Sequence, residues 1–193
     1  MRNMLNYAYK QHSTAVTKYQ KEVTLRNIVV IELLFSTGMR VSEISNLKLY
    51  AVNLGDSTIR IFGKGSKERI MCINNDLSKT ISSYLKICSR KTDYLLTNKS
   101  GNRLSEQSIR YMVNDYANAV GAPLHITPHM FRHTFATELH NEDVDIRYIQ
   151  QFLGHSSIAT TQIYTHISTS KTREILESKH PRNKMSLLTN TYI

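Results

Sequence analysis

Four segments of the chain place a cationic or reactive side chain next to residues that are typical of a packed core. These side chains are Arg40 in STGMRVSEISNL, Lys64 in FGKGSKERI, His129 and Arg132 in TPHMFRHTF, and His155 and Tyr164 in QFLGHSSIATTQIYTHI. Arginine keeps its charge and offers a fork of donors suited to carboxylates and phosphates, and histidine exchanges protons near neutral pH. A tyrosine hydroxyl is a nucleophile once its proton is removed. The residue types therefore suit anion binding combined with acid–base or nucleophilic chemistry.

Each of these residues, taken alone, also fits an ordinary structural role. Arg40 follows a glycine turn at a helix start, where it could simply pair with Glu43. Lys64 stands between two glycines at the tip of a predicted hairpin, a position typical of a solvated turn lysine. Tyr164 alone is more typical of a half-buried packing residue. A functional interpretation therefore depends on the combination of these residues.

The histidines could also suggest a metal site. His133 follows His129 by one helical turn, a spacing that suits two metal ligands. A zinc protease of the His-Glu-x-x-His type requires a glutamate directly after the first histidine, and this chain has Met130 there. The disfavoured alternative is a zinc-dependent hydrolase built on His125, His129, His133 and His155. We expect neither a metal nor a cofactor.

Composition and charge favour a protein of the cell interior that binds a polyanion. The 193 residues carry a formal net charge of +10, and nucleic acid is the commonest polyanion inside a cell. With 40% hydrophobic and 21% charged residues, the chain is typical of a globular domain. Cys72 and Cys88 are too few for a disulfide framework, and no apolar run reaches the length of a membrane span. We expect a cytoplasmic protein with no membrane partner.

Hydrophobic periodicity predicts that helices hold most of these residues. A polar helix is predicted over Met4–Tyr19. Apolar or amphipathic helices are predicted over Leu25–Ser36, from Ser42, and over Leu77–Ile87, Ser105–Val120, His129–His140, Asp145–Leu153, Ser157–Ile163 and Lys171–Ser178. Gly38 and Gly154 are predicted to end two of them. Thr127-Pro128 offers an N-cap and a first-turn proline for another.

A change of period marks a small sheet in the first half of the chain. Val52–Leu54, Thr58–Phe62 and Glu68–Ile73 carry β-branched or alternating residues and are separated by turn residues. The last two form a predicted hairpin with its tip at Gly63–Ser66. No linker or repeat divides the sequence. The predicted fold class is α+β, a mostly α-helical single domain with a small three-stranded antiparallel β-sheet.

The four segments, in this order, resemble the tyrosine recombinases of the phage integrase family, especially their bacterial Xer-like members. The resemblance rests on TGMRVSE, then GKGSKER, then HMFRH, then LGHSS with a tyrosine following, and it runs from about Leu25 to Pro181. It implies a site-specific DNA recombinase or integrase. Such an enzyme cuts and rejoins DNA strands through a 3′-phosphotyrosine intermediate, and it needs neither metal nor ATP.

The resemblance also implies a role for each matched position. The implied catalytic set is Arg40, Lys64, His129, Arg132, His155 and Tyr164, with Glu43 supporting the first arginine. The tyrosine is the nucleophile, the first histidine its base, and the lysine the acid that protonates the leaving 5′-oxygen. The two arginines clamp the scissile phosphate, and the second histidine adds a further donor.

The resemblance also sets expectations for domains and partners. Most family members carry a separate N-terminal core-binding domain, and the residues before Leu25 are too few to form one. We therefore expect residues 1–180 to be the catalytic domain, without the core-binding domain, and 181–193 to be a C-terminal tail. The implied partners are double-stranded DNA and other recombinase protomers, four of which meet on two DNA sites with exchange of the tail after Tyr164.

Two alternatives remain within nucleic-acid biochemistry. A type IB topoisomerase shares the tyrosine, arginine and lysine chemistry, but the His-x-x-Arg pair and the LGHSS segment favour the recombinase. A DNA-binding regulator that has lost catalysis would lack a catalytic residue, and the matched set is complete. Relaxation of supercoiled DNA without strand exchange would favour the topoisomerase.

Overall fold

The structure, a computed structural model, describes residues 1–63, 68–88, 92–154 and 169–184. Within these ranges the chain is predominantly helical and carries one small sheet, which confirms the predicted α+β class. The helices are α1 (Arg2–Ser13), α2 (Lys18–Thr37), α3 (Val41–Ser45), α4 (Asn75–Ile87), α5 (Glu106–Ala119), α6 (Pro128–Asn141), α7 (Ile146–Leu153) and α8 (Thr169–Lys179). The strands are β1 (Val52–Asn53), β2 (Thr58–Phe62) and β3 (Glu68–Cys72), and short 3-10 helices lie at Leu49–Ala51 and Pro181–Lys184. No helix in these ranges is long and apolar enough to cross a membrane.

Helix α2 is the central element of the core. Its apolar side chains, such as those of Ile28 and Leu34, are fully buried because α1, α4 and α6 all pack against it. The predicted buried helix is confirmed, with an earlier start at Lys18. The helix ends at Gly38, whose φ of 58° lies in the left-handed region that favours glycine. The chain then turns directly into α3, with Arg40 at the start of that helix.

The prediction of one polar helix over Met4–Tyr19 is wrong. Helix α1 ends at Ser13, and a second helix starts after Thr17. The Thr17 hydroxyl accepts from the Gln20 N–H, and the Gln20 side chain accepts from the Thr17 N–H. This reciprocal capping box sets the boundary within the predicted helix. Helix α1 is also not polar on all sides, since it buries apolar residues such as Tyr9.

The sheet has the strand order β1-β2-β3, and both strand pairs are antiparallel, as predicted. Ile59 of β2 lies opposite Met71 of β3, and both side chains are buried. Arg69 of β3 lies opposite Ile61. The predicted tip of the hairpin falls mostly on residues 64–67, which lie outside the described ranges. Strand β3 packs against α7 and α8, so the sheet is attached to the C-terminal helices.

The C-terminal helices begin and end close to the predicted positions. Pro128 occupies the first turn of α6, and the Asp145 side chain caps α7 by accepting a backbone N–H. Helix α7 ends at Gly154, whose φ of 64° is again left-handed. Helix α8 includes the predicted helix Lys171–Ser178. The predicted helix Ser157–Ile163 lies outside the described residues.

Candidate active site

Arg40 is presented at the junction of α2 and α3. Its backbone N–H donates to Glu43 Oε2 at 2.8 Å, and its Nη1 donates to Glu43 Oε1 at 3.1 Å. Glu43 thus satisfies one of the N–H groups that a helix start leaves without an intrahelical partner. The side chain of Arg40 is 45% exposed, whereas that of Glu43 is 5% exposed. The guanidinium is therefore anchored by a buried carboxylate and still open to a ligand.

Gly38 allows the end of α2 to lie against α6 and the end of α7, beside Arg40. A Cβ atom at Gly38 would lie 2.7 Å from Phe135 Cδ1, closer than real Cβ contacts, and 3.0 Å from Leu153 Cδ2, at the limit of such contacts. Phe135 belongs to α6 and Leu153 to the end of α7. The absence of a side chain at this position, together with the left-handed backbone, brings α2 within contact distance of both helices.

Arg132 connects the same helix ends by hydrogen bonds. Its Nη1 donates to the Gly38 carbonyl at 2.8 Å, and its Nη2 donates to the Leu153 carbonyl at 2.7 Å. Both carbonyls lie at helix C-termini, where the last C=O groups have no intrahelical partner. Burial, and then the charge of Arg40, lower the pKa of Arg132 to about 10, which still leaves the guanidinium charged at neutral pH. A buried cation is therefore fixed between the ends of α2 and α7.

His129 and the two arginines line one cleft. His129 lies in the first turn of α6, one turn before Arg132. The cleft has a volume of about 530 Å³, and its charged or titratable lining residues are Arg40, Glu106, Arg110, His125, His129 and Arg132. Cationic groups outnumber the single carboxylate in this lining. The cleft is thus suited to an anionic ligand that contacts Arg40 and Arg132 from one side.

Glu43 accepts hydrogen bonds from a second arginine, Arg69 of β3. Arg69 Nη1 donates to Glu43 Oε1 and Nη2 donates to Glu43 Oε2, each at 2.9 Å, and Nε donates to the Phe152 carbonyl at 3.0 Å. Burial alone would raise the pKa of Glu43, but the hydrogen bonds and charge of Arg69, aided by Arg40, outweigh it and lower that pKa. Sequence reasoning missed Arg69, because its neighbours in KERIM show only a strand pattern.

The structure brings four of the predicted site residues together. Arg40, Glu43 and Arg132 lie at the meeting point of α2, α3, α6 and α7, and His129 shares the cleft of the two arginines. The other predicted residues, Lys64, His155 and Tyr164, lie outside the described residues.

The described histidines show no metal site. Among the residues that the structure describes, no group of three histidine, cysteine or carboxylate side chains could hold a metal ion. His133, the second histidine of the spacing that suits two ligands, is exposed and does not line the cleft. A zinc hydrolase therefore receives no support from this part of the chain.

The mostly helical domain with a small antiparallel sheet, and with two arginines and a histidine on one basic cleft, has the architecture of a tyrosine recombinase catalytic domain. The chain belongs to the phage integrase family, which it matches over residues 6–171.

Three comparisons give the scale of this similarity. The chain is 54% identical to a tyrosine recombinase of Agathobacter rectalis over 184 residues, and this alignment covers 90% of this chain and 58% of that protein. It resembles the crystal structure of XerA recombinase with a TM-score of 0.70 and 34% identity, covering 94% of this chain and 63% of the other. It resembles XerH site-specific recombinase, bound to its difH substrate in a pre-cleavage complex, with a TM-score of 0.68 and 28% identity, covering 90% and 50%. The chain therefore spans 58% of the length of its Agathobacter relative.

Proposed function

We propose that this chain catalyses site-specific recombination, cutting and rejoining DNA strands through a 3′-phosphotyrosine intermediate. The observation that carries the proposal is the cleft in which Arg40, His129 and Arg132 converge. Family membership and the 54% identity to a tyrosine recombinase support the same reaction. Residues 1–180 would supply the catalytic domain and 181–193 a tail, whose first residues pack on the domain, since Arg182 is buried against Glu32 of α2.

The two arginines would bind the scissile phosphate. Each guanidinium has five N–H donors, so Arg132 can hold the carbonyls of Gly38 and Leu153 and still donate to a phosphate oxygen. Because these groups are fixed before the substrate arrives, they can stabilise the charge of the pentacoordinate transition state without reorganising. Two guanidinium groups also neutralise the phosphate charge that a metal ion neutralises in other nucleases.

The proton transfers would involve His129 and Lys64. The Tyr164 hydroxyl would lose its proton to His129 as its oxygen attacks phosphorus. The bond from phosphorus to the 5′-oxygen breaks, and Lys64 protonates that oxygen as it leaves. One phosphoester bond is exchanged for another, so a 5′-hydroxyl from a second strand can reverse the step without ATP. His155 would donate to a non-bridging oxygen.

The partners would be double-stranded DNA and further protomers. The related XerH recombinase binds its difH substrate, and the basic lining of the cleft suits a phosphate backbone. Four protomers on two DNA sites would be joined head to tail by the segment after Tyr164, an arrangement that closes into a ring. In the described structure α8 packs against β3 of its own chain, so assembly on DNA would exchange an existing contact.

The experiment that tests the proposal uses a suicide duplex, nicked so that the strand fragment beyond the cleavage site diffuses away. Because the target site is unknown, the duplex comes from sequence flanking the gene or from a pool of random duplexes. We expect a protein–DNA band that survives denaturant and EDTA in the wild type and is absent in Tyr164→Phe. A band in both proteins would show that another residue is the nucleophile. DNA binding without a band in either would support a catalytically silent regulator.

A further inference from the structure

Arg69 contacts α3, which lines the cleft of the proposed active site, and the end of α7, although it does not line the cleft itself. It lies on β3, five residues after Lys64 in the sequence, and its side chain is 12% exposed. Nη1 and Nη2 of the guanidinium donate to Glu43 of α3, and Nε donates to the Phe152 carbonyl of α7. We infer that Arg69 is a positioning residue for the proposed recombination reaction, acting on Arg40 through Glu43 and on the end of α7 through Phe152.

Glu43 shares its charge between two arginines. Its Oε1 accepts from Arg40 Nη1 and Arg69 Nη1, and its Oε2 accepts from the Arg40 backbone N–H and Arg69 Nη2. A carboxylate has about four acceptor sites, so these four donors use its full capacity. A buried carboxylate needs partners for all its acceptor sites, and Arg69 supplies two of the four donors in a bidentate pair. Without Arg69, Glu43 would draw the half-exposed Arg40 guanidinium more closely onto itself and away from a phosphate.

Arg69 also helps to hold the end of α7. Arg69 Nε holds the Phe152 carbonyl, and Arg132 Nη2 holds the next carbonyl, that of Leu153. Two consecutive carbonyls that a helix end leaves unpaired are thus fixed by two arginines, whose charges also favour a helix C-terminus. A Cβ atom on Gly154 would lie 2.8 Å from Arg69 Nη1, so the backbone passes directly over this guanidinium. The chain continues towards His155 from a point that Arg69 helps to fix.

The same arginine is part of the β2–β3 ladder. Arg69 pairs with Ile61 across the β2–β3 ladder, so its backbone belongs to the sheet while its side chain holds Glu43 and the Phe152 carbonyl. Any displacement of β3 would therefore change the hydrogen bonds on Glu43 and Phe152 together. In the proposed mechanism this links the strand next to the general acid to the arginines that hold the phosphate.

The test compares Arg69→Ala, Arg69→Lys and Arg40→Ala with a matched control, Arg60→Ala. Arg60 lies on the adjacent strand β2 with a 57% exposed side chain and a weak 4.0 Å contact to Glu68. Single-turnover cleavage is measured on the suicide duplex, which carries either an ordinary phosphate or an uncharged methylphosphonate at the scissile position. We expect Arg69→Ala to cleave the phosphate about 100-fold more slowly, since misplacement by about 1 Å can cost that much. Arg69→Lys should be intermediate, and Arg60→Ala unchanged.

The methylphosphonate substrate distinguishes loss of Arg40 positioning from a general loss of active-site structure in Arg69→Ala. Without a charge to neutralise, the substrate depends less on Arg40, so the defects of Arg40→Ala and Arg69→Ala should both shrink to a few-fold. The inference would be overturned if Arg69→Ala and Arg69→Lys lost equal cleavage rates on both substrates, while the defect of Arg40→Ala shrank on the methylphosphonate. DNA affinity, measured in parallel, should be the same for Arg69→Ala and Arg60→Ala.

A measurement without DNA keeps the inference testable if the proposed function itself fails. The ¹H–¹⁵N signal of Arg40 Nε is assigned by its loss in Arg40→Ala and then followed in Arg69→Lys, which keeps the charge in the core. We expect that signal to shift or broaden in Arg69→Lys and to stay in place in Arg60→Ala. An unchanged Arg40 signal in folded Arg69→Lys would refute the positioning role, whether or not the chain cleaves DNA.

Discussion

Arg182 and Glu32 form an ion pair in the core, with Arg182 Nη2 3.1 Å from Glu32 Oε1 and both side chains almost completely buried. They are 150 residues apart, since Glu32 lies in α2 and Arg182 in the 3-10 helix that follows α8. The Tyr9 hydroxyl also donates to Glu32 Oε1, and Asp76 lies 3.4 Å from the Arg182 guanidinium. The end of the described chain is therefore attached to the same helix that carries Gly38 and leads to Arg40.

Arg182→Ala should destabilise the protein strongly. Removing one member of a buried ion pair leaves the other charge without compensation, which typically costs about 3–5 kcal/mol. Urea unfolding followed by far-UV circular dichroism measures the free energy of unfolding. The control is Arg60→Ala, which removes an exposed, weak pair and should cost less than about 1 kcal/mol. If the two variants were equally stable, the C-terminal segment would not be docked on α2 in solution.

His180 should make stability depend on pH between about 4 and 6.5. Its Nε2 contacts the Ser36 carbonyl at 2.7 Å and its Nδ1 accepts from the Arg182 N–H at 3.0 Å, so a neutral ring satisfies both. Burial lowers the pKa of His180 to about 4. The unfolded state therefore binds the proton more readily, and stability falls as the pH drops from about 6.5 to 4, by about 3 kcal/mol. Unfolding free energies at pH 7.5 and pH 4.5 should differ less in His180→Asn than in the wild type; equal differences would disprove this role.

The sequence predicted most of the described helices and the sheet because their apolar periodicity and turn residues are local signals. It did not predict that His180 and Arg182 are buried. The segment SKHPRNK is polar, and only the position of Glu32 in the otherwise apolar run IVVIELLFS indicates that a buried charge needs a partner. Which cation supplies that partner is decided by the tertiary packing of the C-terminal segment on α2.

The candidate site was likewise predicted only in part from the sequence. Arg40, His129 and Arg132 were predicted by the order and content of their motifs, and the structure places them on one cleft. The anchoring of Arg132 by Gly38 and Leu153 was not predicted, since backbone carbonyls at helix ends have no sequence signature. The catalytic roles of the cleft residues, and those of Lys64, His155 and Tyr164, remain predictions.

Gly154→Ala should slow cleavage more than its effect on stability explains. A residue other than glycine in the left-handed region costs about 1–2 kcal/mol, and here a Cβ atom would also press on Arg69 at 2.8 to 3.2 Å. Gly121 is a matched control, because its φ of +63° is nearly identical and a Cβ atom there would meet nothing within 4 Å. Both alanine variants should lose stability in urea unfolding, Gly154→Ala somewhat more because of the contact with Arg69. Only Gly154→Ala should lose about tenfold or more in single-turnover cleavage; equal rates for the two variants would show that the Arg69 contact is unimportant.

Arg132→Lys should lose both stability and cleavage, although it keeps the charge. A single ammonium cannot reproduce the guanidinium fork that reaches the Gly38 and Leu153 carbonyls together, and a buried carbonyl left unpaired costs about 1–3 kcal/mol. Cleavage should fall by about 100-fold or more, since a fixed donor to the transition state is lost. Arg40→Lys is the comparison. Arg40 is half exposed and Glu43 keeps its bonds from Arg69, so that variant should lose cleavage with a change in stability of about 0.5 kcal/mol or less. Urea unfolding and single-turnover rates on the same two proteins decide the matter, and wild-type stability in Arg132→Lys would show that the two helix ends hold together without this arginine.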